Sequence, residues 1–114
     1  MSAPAPRPPN SAANRLDQLQ KILALEPNDP FTLYGLAQEY AKQGNVAQAV
    51  EHYDRCIIAD PDYCYAYYHK AKTLADDGQE QQAIATLKSG IAVAKRLNDA
   101  KALSELSALL DSLT

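Results

Sequence analysis

No stretch of 18 apolar residues occurs in these 114 residues, and no apolar run follows the N-terminus. The sequence therefore offers neither a membrane-spanning helix nor a secretory leader, and a cytoplasmic protein is expected. Basic residues are also in short supply. Eleven Lys and Arg against 14 Asp and Glu leave a formal net charge of −3, without the basic footprint that non-specific nucleic-acid binding needs. Cysteine is scarce: Cys56 and Cys64 fit no Cys-x2-Cys spacing, so two buried free thiols are expected rather than a metal site or a disulfide. The two histidines, His52 and His69, fall on different predicted helices and neither has a partner at His-Glu-x2-His spacing. With four glycines there is no Gly-rich phosphate loop. Ser89-Gly90 lies inside a helical pattern rather than at a strand-to-helix elbow, and Gly90 reads as a close-packing place. Glu39, Glu51, Asp54, Asp76, Asp77 and Glu80 read as scattered, solvated side chains. Nothing assembles a nucleophile, a base and an orienting group, so no enzyme, metal or cofactor is expected. No segment alternates with period two, which leaves an all-α fold.

What is present is periodicity. Between Pro27 and Pro61, Leu33, Leu36, Ala37 and Tyr40 recur at three- and four-residue steps, then comes the turn signal Gly44-Asn45, then Ala49, Tyr53 and Cys56. That is two amphipathic helices back to back. Sliding the sequence by 34 residues lays Pro27 on Pro61, Lys21 on Arg55, Ala37 on Ala71, Gly44 on Gly78, Gln48 on Gln82 and Ala49 on Ala83. A fixed period of this size marks a stack of repeated units.

At these residues the chain resembles the tetratricopeptide repeat (TPR) family, whose pattern runs Trp-x2-Leu-Gly-x2-Tyr, then Ala-x3-Phe, then Pro. Leu33 stands in the Trp place, Leu36-Ala37 in the Leu-Gly place, Tyr40 in the Tyr place, and Ala49, Tyr53 and Pro61 fill the remainder. Tyr67, Ala71, Leu74, Ala83 and Leu87 fit the second copy, with Lys70 in place of Leu and Lys95 in place of the closing Pro. The resemblance implies a TPR-type right-handed α-solenoid of antiparallel helix pairs, about six helices in all, whose small residues Ala37, Ala49, Ala71 and Ala83 lie at close helix contacts.

In chain order, residues 1–13 carry Pro4, Pro6, Pro8 and Pro9 and are expected to form a disordered, polyproline-like tail. Residues 14–26 place Leu16, Leu19, Ile22, Leu23 and Glu26 on one stripe, read as a half-repeat capping the N-terminal end of the stack. The first repeat spans 30–61, entered through Asp29 as N-cap and Pro30, and the Asp60-Pro61-Asp62 run repeats that stop and start. The second repeat spans 64–97; because no Pro stops it near Lys95, its last helix is expected to run on to about Leu97. Asn98-Asp99 then caps a final helix, 99–113, with Leu103, Leu106, Leu110 and Leu113 on one stripe, Leu109 beside it, and Ser104, Glu105 and Asp111 facing away.

The aromatic residues stand out: Tyr63, Tyr65, Tyr67 and Tyr68 crowd into six residues, and Phe31 and Tyr34 match Tyr65 and Tyr68 at the repeat offset. Helical steps of three and four put Phe31, Tyr34 and Gln38 on one stripe and Tyr65, Tyr68, His69 and Lys72 on the equivalent stripe. The resemblance assigns such places to the concave, ligand-contacting face, and Tyr40, Tyr53 and Tyr67 to packing. The places that grip the C-terminal carboxylate of heat-shock chaperones in some members read Tyr34, Gln38 and His69 here, and a third full repeat is missing, which disfavours that use. Two readings follow. One is a protein- or peptide-binding adaptor with an aromatic groove; the other is a structural module forming a homodimer through repeat ends or the leucine-rich last helix. A competing account of the stripe itself is that the chain's own termini cover it.

Overall fold

The computed structural model describes residues 12–114 as six helices: α1 Ala12–Leu25, α2 Pro30–Lys42, α3 Val46–Ala59, α4 Cys64–Asp76, α5 Glu80–Leu97 and α6 Ala100–Leu113. No strand occurs among the described residues, so the fold is all-α. The expected Pro-rich tail lies outside them except for Ala12 and Ala13, which form the first turn of α1.

Local chemistry sets most helix ends. The Thr32 N–H donates to Asp29 Oδ2 at 3.1 Å, the Gln48 N–H to Asn45 Oδ1 at 3.3 Å and the Ala102 N–H to Asp99 Oδ1 at 3.0 Å, so three side chains satisfy otherwise unpaired first-turn donors. Helix α4 departs from expectation. Asp62 falls one residue too early to cap it; Tyr63 holds the N-cap place without a side-chain bond, and Asp62 pairs instead with Arg96. Gly44 and Gly78, at φ 75° and 81°, turn the chain out of α2 and α4, and Asn98 at φ 56° does the same for α5.

Short connections make neighbouring helices antiparallel, and packing arranges them in two layers. Along the stack the backbone of α2 approaches that of α4 and α4 that of α6, whereas the backbones of α1, α3 and α5 stay farther apart. A stack whose alternate helices meet on one side only bends toward that side, so the face shared by α2, α4 and α6 is concave. Ala37, Ala49, Ala71 and Ala83 have no exposed surface and hold the helix pairs together. Gly90 belongs to the same class: a Cβ there would lie 2.7 Å from Tyr67 Cβ.

The two end helices carry the main corrections. Ile22, expected within the buried stripe of α1, is 48% exposed, because the backbone of α1 lies close to that of α2 alone. At the repeat offset Arg15 occupies the place of Ala49 and Ala83, but there it stays more than half exposed. Its Nε lies 2.7 Å from Glu39 Oε1. Glu39 is therefore not the solvated carboxylate the sequence suggests; it is 2% exposed, closed over by Arg15 and, at 3.5 Å, by Lys42. At the other end, Leu106 of α6 is buried while Leu103, Leu109, Leu110 and Leu113 pack against the α4 and α5 core. Glu105, expected to face away, is half-buried and near enough to His69 to act on its ionisation.

Candidate functional site

The concave face is built from helical spacing. On α2, Phe31, Tyr34, Gln38 and Lys42 follow one another at steps of three and four; on α4, such steps link Tyr65 to Tyr68 and His69, these to Lys72 and Thr73, and these to Asp76. Between the C-terminal halves of the two helices lies a cavity of about 330 Å³ whose walls include Gln38, Lys42, His69, Lys72, Thr73 and Asp76. Three expected site residues, Gln38, His69 and Lys72, thus meet in one concavity. Tyr34 adjoins it: its ring lies 5.7 Å from that of His69 and 6.0 Å from that of Tyr53, which forms part of the cavity floor.

The remaining expected residues are placed differently. Phe31 stands 72% exposed at the N-terminal end of α2, away from the cavity. Tyr65 and Tyr68 are half-buried. Tyr68 meets the His69 ring edge-on at 5.1 Å and also packs against the core that α6 completes, so it serves the fold as well as the face. Lys42, Thr73, Asp76, Tyr53 and Tyr63 were missed by the sequence reading. The first three extend the same stripe: Gln38 to Lys42, His69 to Thr73 and Lys72 to Asp76 are all four-residue steps, and following the period one turn further finds them. Tyr63, whose ring centre lies 5.0 Å from that of Tyr34, stands just before α4 and has no periodic signal.

The electrostatics are those of a sheltered, mildly polar face. Burial first, and then the neighbouring Tyr63, Cys56 and Tyr65, push the Tyr34 hydroxyl up to about 12, so it stays a neutral donor and acceptor. The Gln38 Nε2 amide donates to that oxygen at 3.2 Å. Burial, with Lys72 adding to it and Glu105 opposing, holds His69 below the usual imidazole value. Lys72 is 3.8 Å from Asp76 across an exposed helix turn, a pair that costs little to open. Both thiols are free and buried, and among the described residues no three His, Cys, Asp or Glu side chains group as metal ligands. No helix of the described residues is long and apolar enough to cross a membrane. The face presents ring surface, an amide, an imidazole and lysine donors.

Tetratricopeptide repeat models match residues 30–63 and 52–85. Over 74 residues, 65% of this chain, the sequence is 34% identical to Superkiller protein 3 of Schizosaccharomyces pombe, of whose length it spans 5%. The crystal structure of a tetratricopeptide repeat domain protein from Salinibacter ruber is 38% identical, with a TM-score of 0.68, 75% of this chain and 94% of that one being covered. The translocator chaperone SycD of the Yersinia enterocolitica type III secretion system superposes with a TM-score of 0.80 over 90% of this chain and 71% of its own, at 16% identity, a likeness of fold. With repeat spacing, two-layer stacking, close alanine contacts and these matches in agreement, the chain belongs to the tetratricopeptide repeat family.

Proposed function

We propose that the chain is a non-enzymatic protein- or peptide-binding adaptor that takes an extended or helical segment of its partner along the concave face of α2 and α4. The observation that carries this reading is the joining of a 72% exposed Phe31 to a largely apolar cavity with polar groups in its wall by a row of half-buried tyrosine on one face. Tyr and Phe offer large contact area with few rotatable bonds, so a row of them binds at low entropic cost. Gln38 both donates and accepts, which suits a peptide amide in either sense, and Lys72 and His69 supply groups for a carbonyl or carboxylate. SycD, of similar fold, is a translocator chaperone by its own description; the binding reading here rests on the face itself. Self-association through α6 is the weaker reading, because the leucines that motivated it pack within the chain.

The test is binding of a panel of extended peptides followed by backbone amide shifts. Peptides that bind should shift Gln38, His69 and Lys72, and Phe31→Ala and Lys72→Ala should each weaken binding by about 1 to 2 kcal/mol, in the range of interface hot spots. Both side chains are more than half exposed, so these variants should keep the wild-type melting temperature. Tyr34→Ala is a poorer probe, since it also removes ring contacts to Tyr53 and Tyr63. Binding that leaves these amides still, or that ignores both substitutions, would overturn the reading.

A further inference from the structure

We propose that a second copy of this chain docks, by a reciprocal two-fold contact, on the edge of the stack where α1, α3 and α5 end and α2, α4 and α6 begin. Antiparallel neighbours bring those six helix ends together on one side. Among the described residues the large apolar side chains that stand exposed are Ile22, Leu25, Phe31, Ile58 and Leu97, and each lies in the last four residues of α1, α3 or α5 or the first two of α2. All five are therefore on that edge. The opposite edge, at its turns 42–48 and 76–80, exposes Gln43, Asn45, Asp77 and Glu80 instead. Single apolar residues scattered over a surface need no explanation, but sorting to one edge marks an interaction surface. The cavity of the concave face lies between the C-terminal halves of α2 and α4, away from this edge, so the inference stands apart from the reading of that face.

Three observations point to a second copy as the occupant. The first is area. With Leu25 84% and Ile58 80% exposed, the five side chains leave on the order of 600 Å² in water, the size of the largest patches a monomer carries. A standard interface takes about 800 Å² from each partner, so they supply its core and the connectors its rim. The second is shape. Arg55 Nη2 donates to the Pro27 carbonyl at 3.2 Å, and beside that bridge Asn28, Arg55, Ile58 and Ala59 line a hollow of about 300 Å³. Leu25 lies three residues from Asn28, so a projecting side chain and a hollow stand side by side. A two-fold axis between them seats the Leu25 of each copy in the hollow of the other, the reciprocity that such a contact needs. The third is charge. Residues 21–31, 55–65 and 95–101, which make up the edge, carry five acids and five bases, so two copies meet there without net repulsion although the whole chain bears −3. At 42–48 and 76–80 one base stands against three acids. A balanced edge also lacks the excess of cations that an anionic lipid surface attracts.

The experiment is sedimentation velocity of the full chain, in which the mass should pass from one 12.4 kDa chain to two across the micromolar range. Leu25→Lys and Ile58→Lys should each raise the dissociation constant by roughly tenfold or more, while Gln43→Lys on the opposite edge leaves it unchanged. Both side chains are exposed near helix C-termini, where lysine is tolerated, so circular dichroism of the dilute variants should match wild type. A chain that stays monomeric throughout that range overturns the inference, whether or not it then floats with phosphatidylcholine vesicles. A dimer that ignores both lysine substitutions lies elsewhere on the molecule and overturns it equally. For the reciprocity, Leu25→Cys chains are mixed with Ile58→Cys chains and treated with a short bismaleimide; Cys56 and Cys64 are buried, so the new thiols react selectively. Cross-linked pairs holding one chain of each kind are expected. Equal yield when Gln43→Cys replaces Ile58→Cys defeats the proposed contact.

Discussion

Gly90 and Gly35 look alike in the sequence, each a glycine inside a helix, yet they meet different surroundings. A methyl group at Gly90 would press on Tyr67 Cβ at 2.7 Å and on Leu106 at 3.1 Å, and the first of these belongs almost to the backbone of α4. Gly90→Ala should therefore part α4 from α5 and destabilise by about 1 to 3 kcal/mol, outweighing the roughly 1 kcal/mol gained in helix propensity. At Gly35 the nearest atom is the tip of Leu19 at 3.3 Å, on the lightly packed α1, which can give way. Gly35→Ala should leave the melting temperature unchanged or raise it; paired thermal melts check both. Cys56 shows a second residue-level rule. Burial, aided by Asp60 and Asp29, pushes its thiol up to about 12, so iodoacetamide at pH 8 should modify it only as fast as the chain opens. Mass spectrometry showing rapid native-state alkylation would contradict that placement.

Among elements, helix starts that read alike are stabilised differently. Asp99 caps α6 through the Ala102 N–H, so Asp99→Ala should cost about 1 kcal/mol and fray the helix that closes the second core. Asp62, just before α4, makes a surface pair with Arg96 instead, and Asp62→Ala should cost well under that by urea unfolding. The one-residue offset from the true cap place decides the difference. Helix α6 shows another element-scale effect. Counted from the N-cap residues Tyr63 and Asp99, Leu103, Leu106, Ser107 and Leu110 of α6 fall where Tyr67, Lys70, Ala71 and Leu74 lie in α4. In packing against both α4 and α5, α6 acts as the inner helix of a third unit rather than as a simple lid. The longer α5 conceals this from a search at the 34-residue period.

For the whole molecule, curvature brings the polar groups of α2 and α4 under partial cover, and this makes stability depend on pH. His69 is held below its unfolded value of 6.5, so the folded chain takes up its proton later than the unfolded chain does. The contribution of His69 to stability is thus present above pH 6.5 and is lost as pH falls through the folded value. Urea midpoints measured from pH 7.5 down to pH 5 should fall more steeply for wild type than for His69→Gln. Equal slopes would remove His69 from the cover provided by Tyr34, Tyr68 and Lys72.

The repeat itself, the helix order and the alanine contacts were legible in the sequence because each depends on spacing along one helix or on a turn residue beside it. Leu33, Ala37 and Tyr53 face inward wherever a 3.6-residue helix forms, and Gly44 ends that helix whatever lies around it. The stripe Phe31, Tyr34, Gln38 was legible for the same reason; Lys42, one turn further along the same period, was left out of it. The burial of Glu39, the exposure of Ile22, the approach of Glu105 to His69 and the place of Tyr63 over Tyr34 were not. Each of those depends on which helices lie alongside: α1 with a single neighbour, α6 drawn in against α4, and a connecting residue folded across a helix distant in sequence. Helical period determines the direction in which a side chain points, but only the stacked neighbours decide whether it meets a partner or water there.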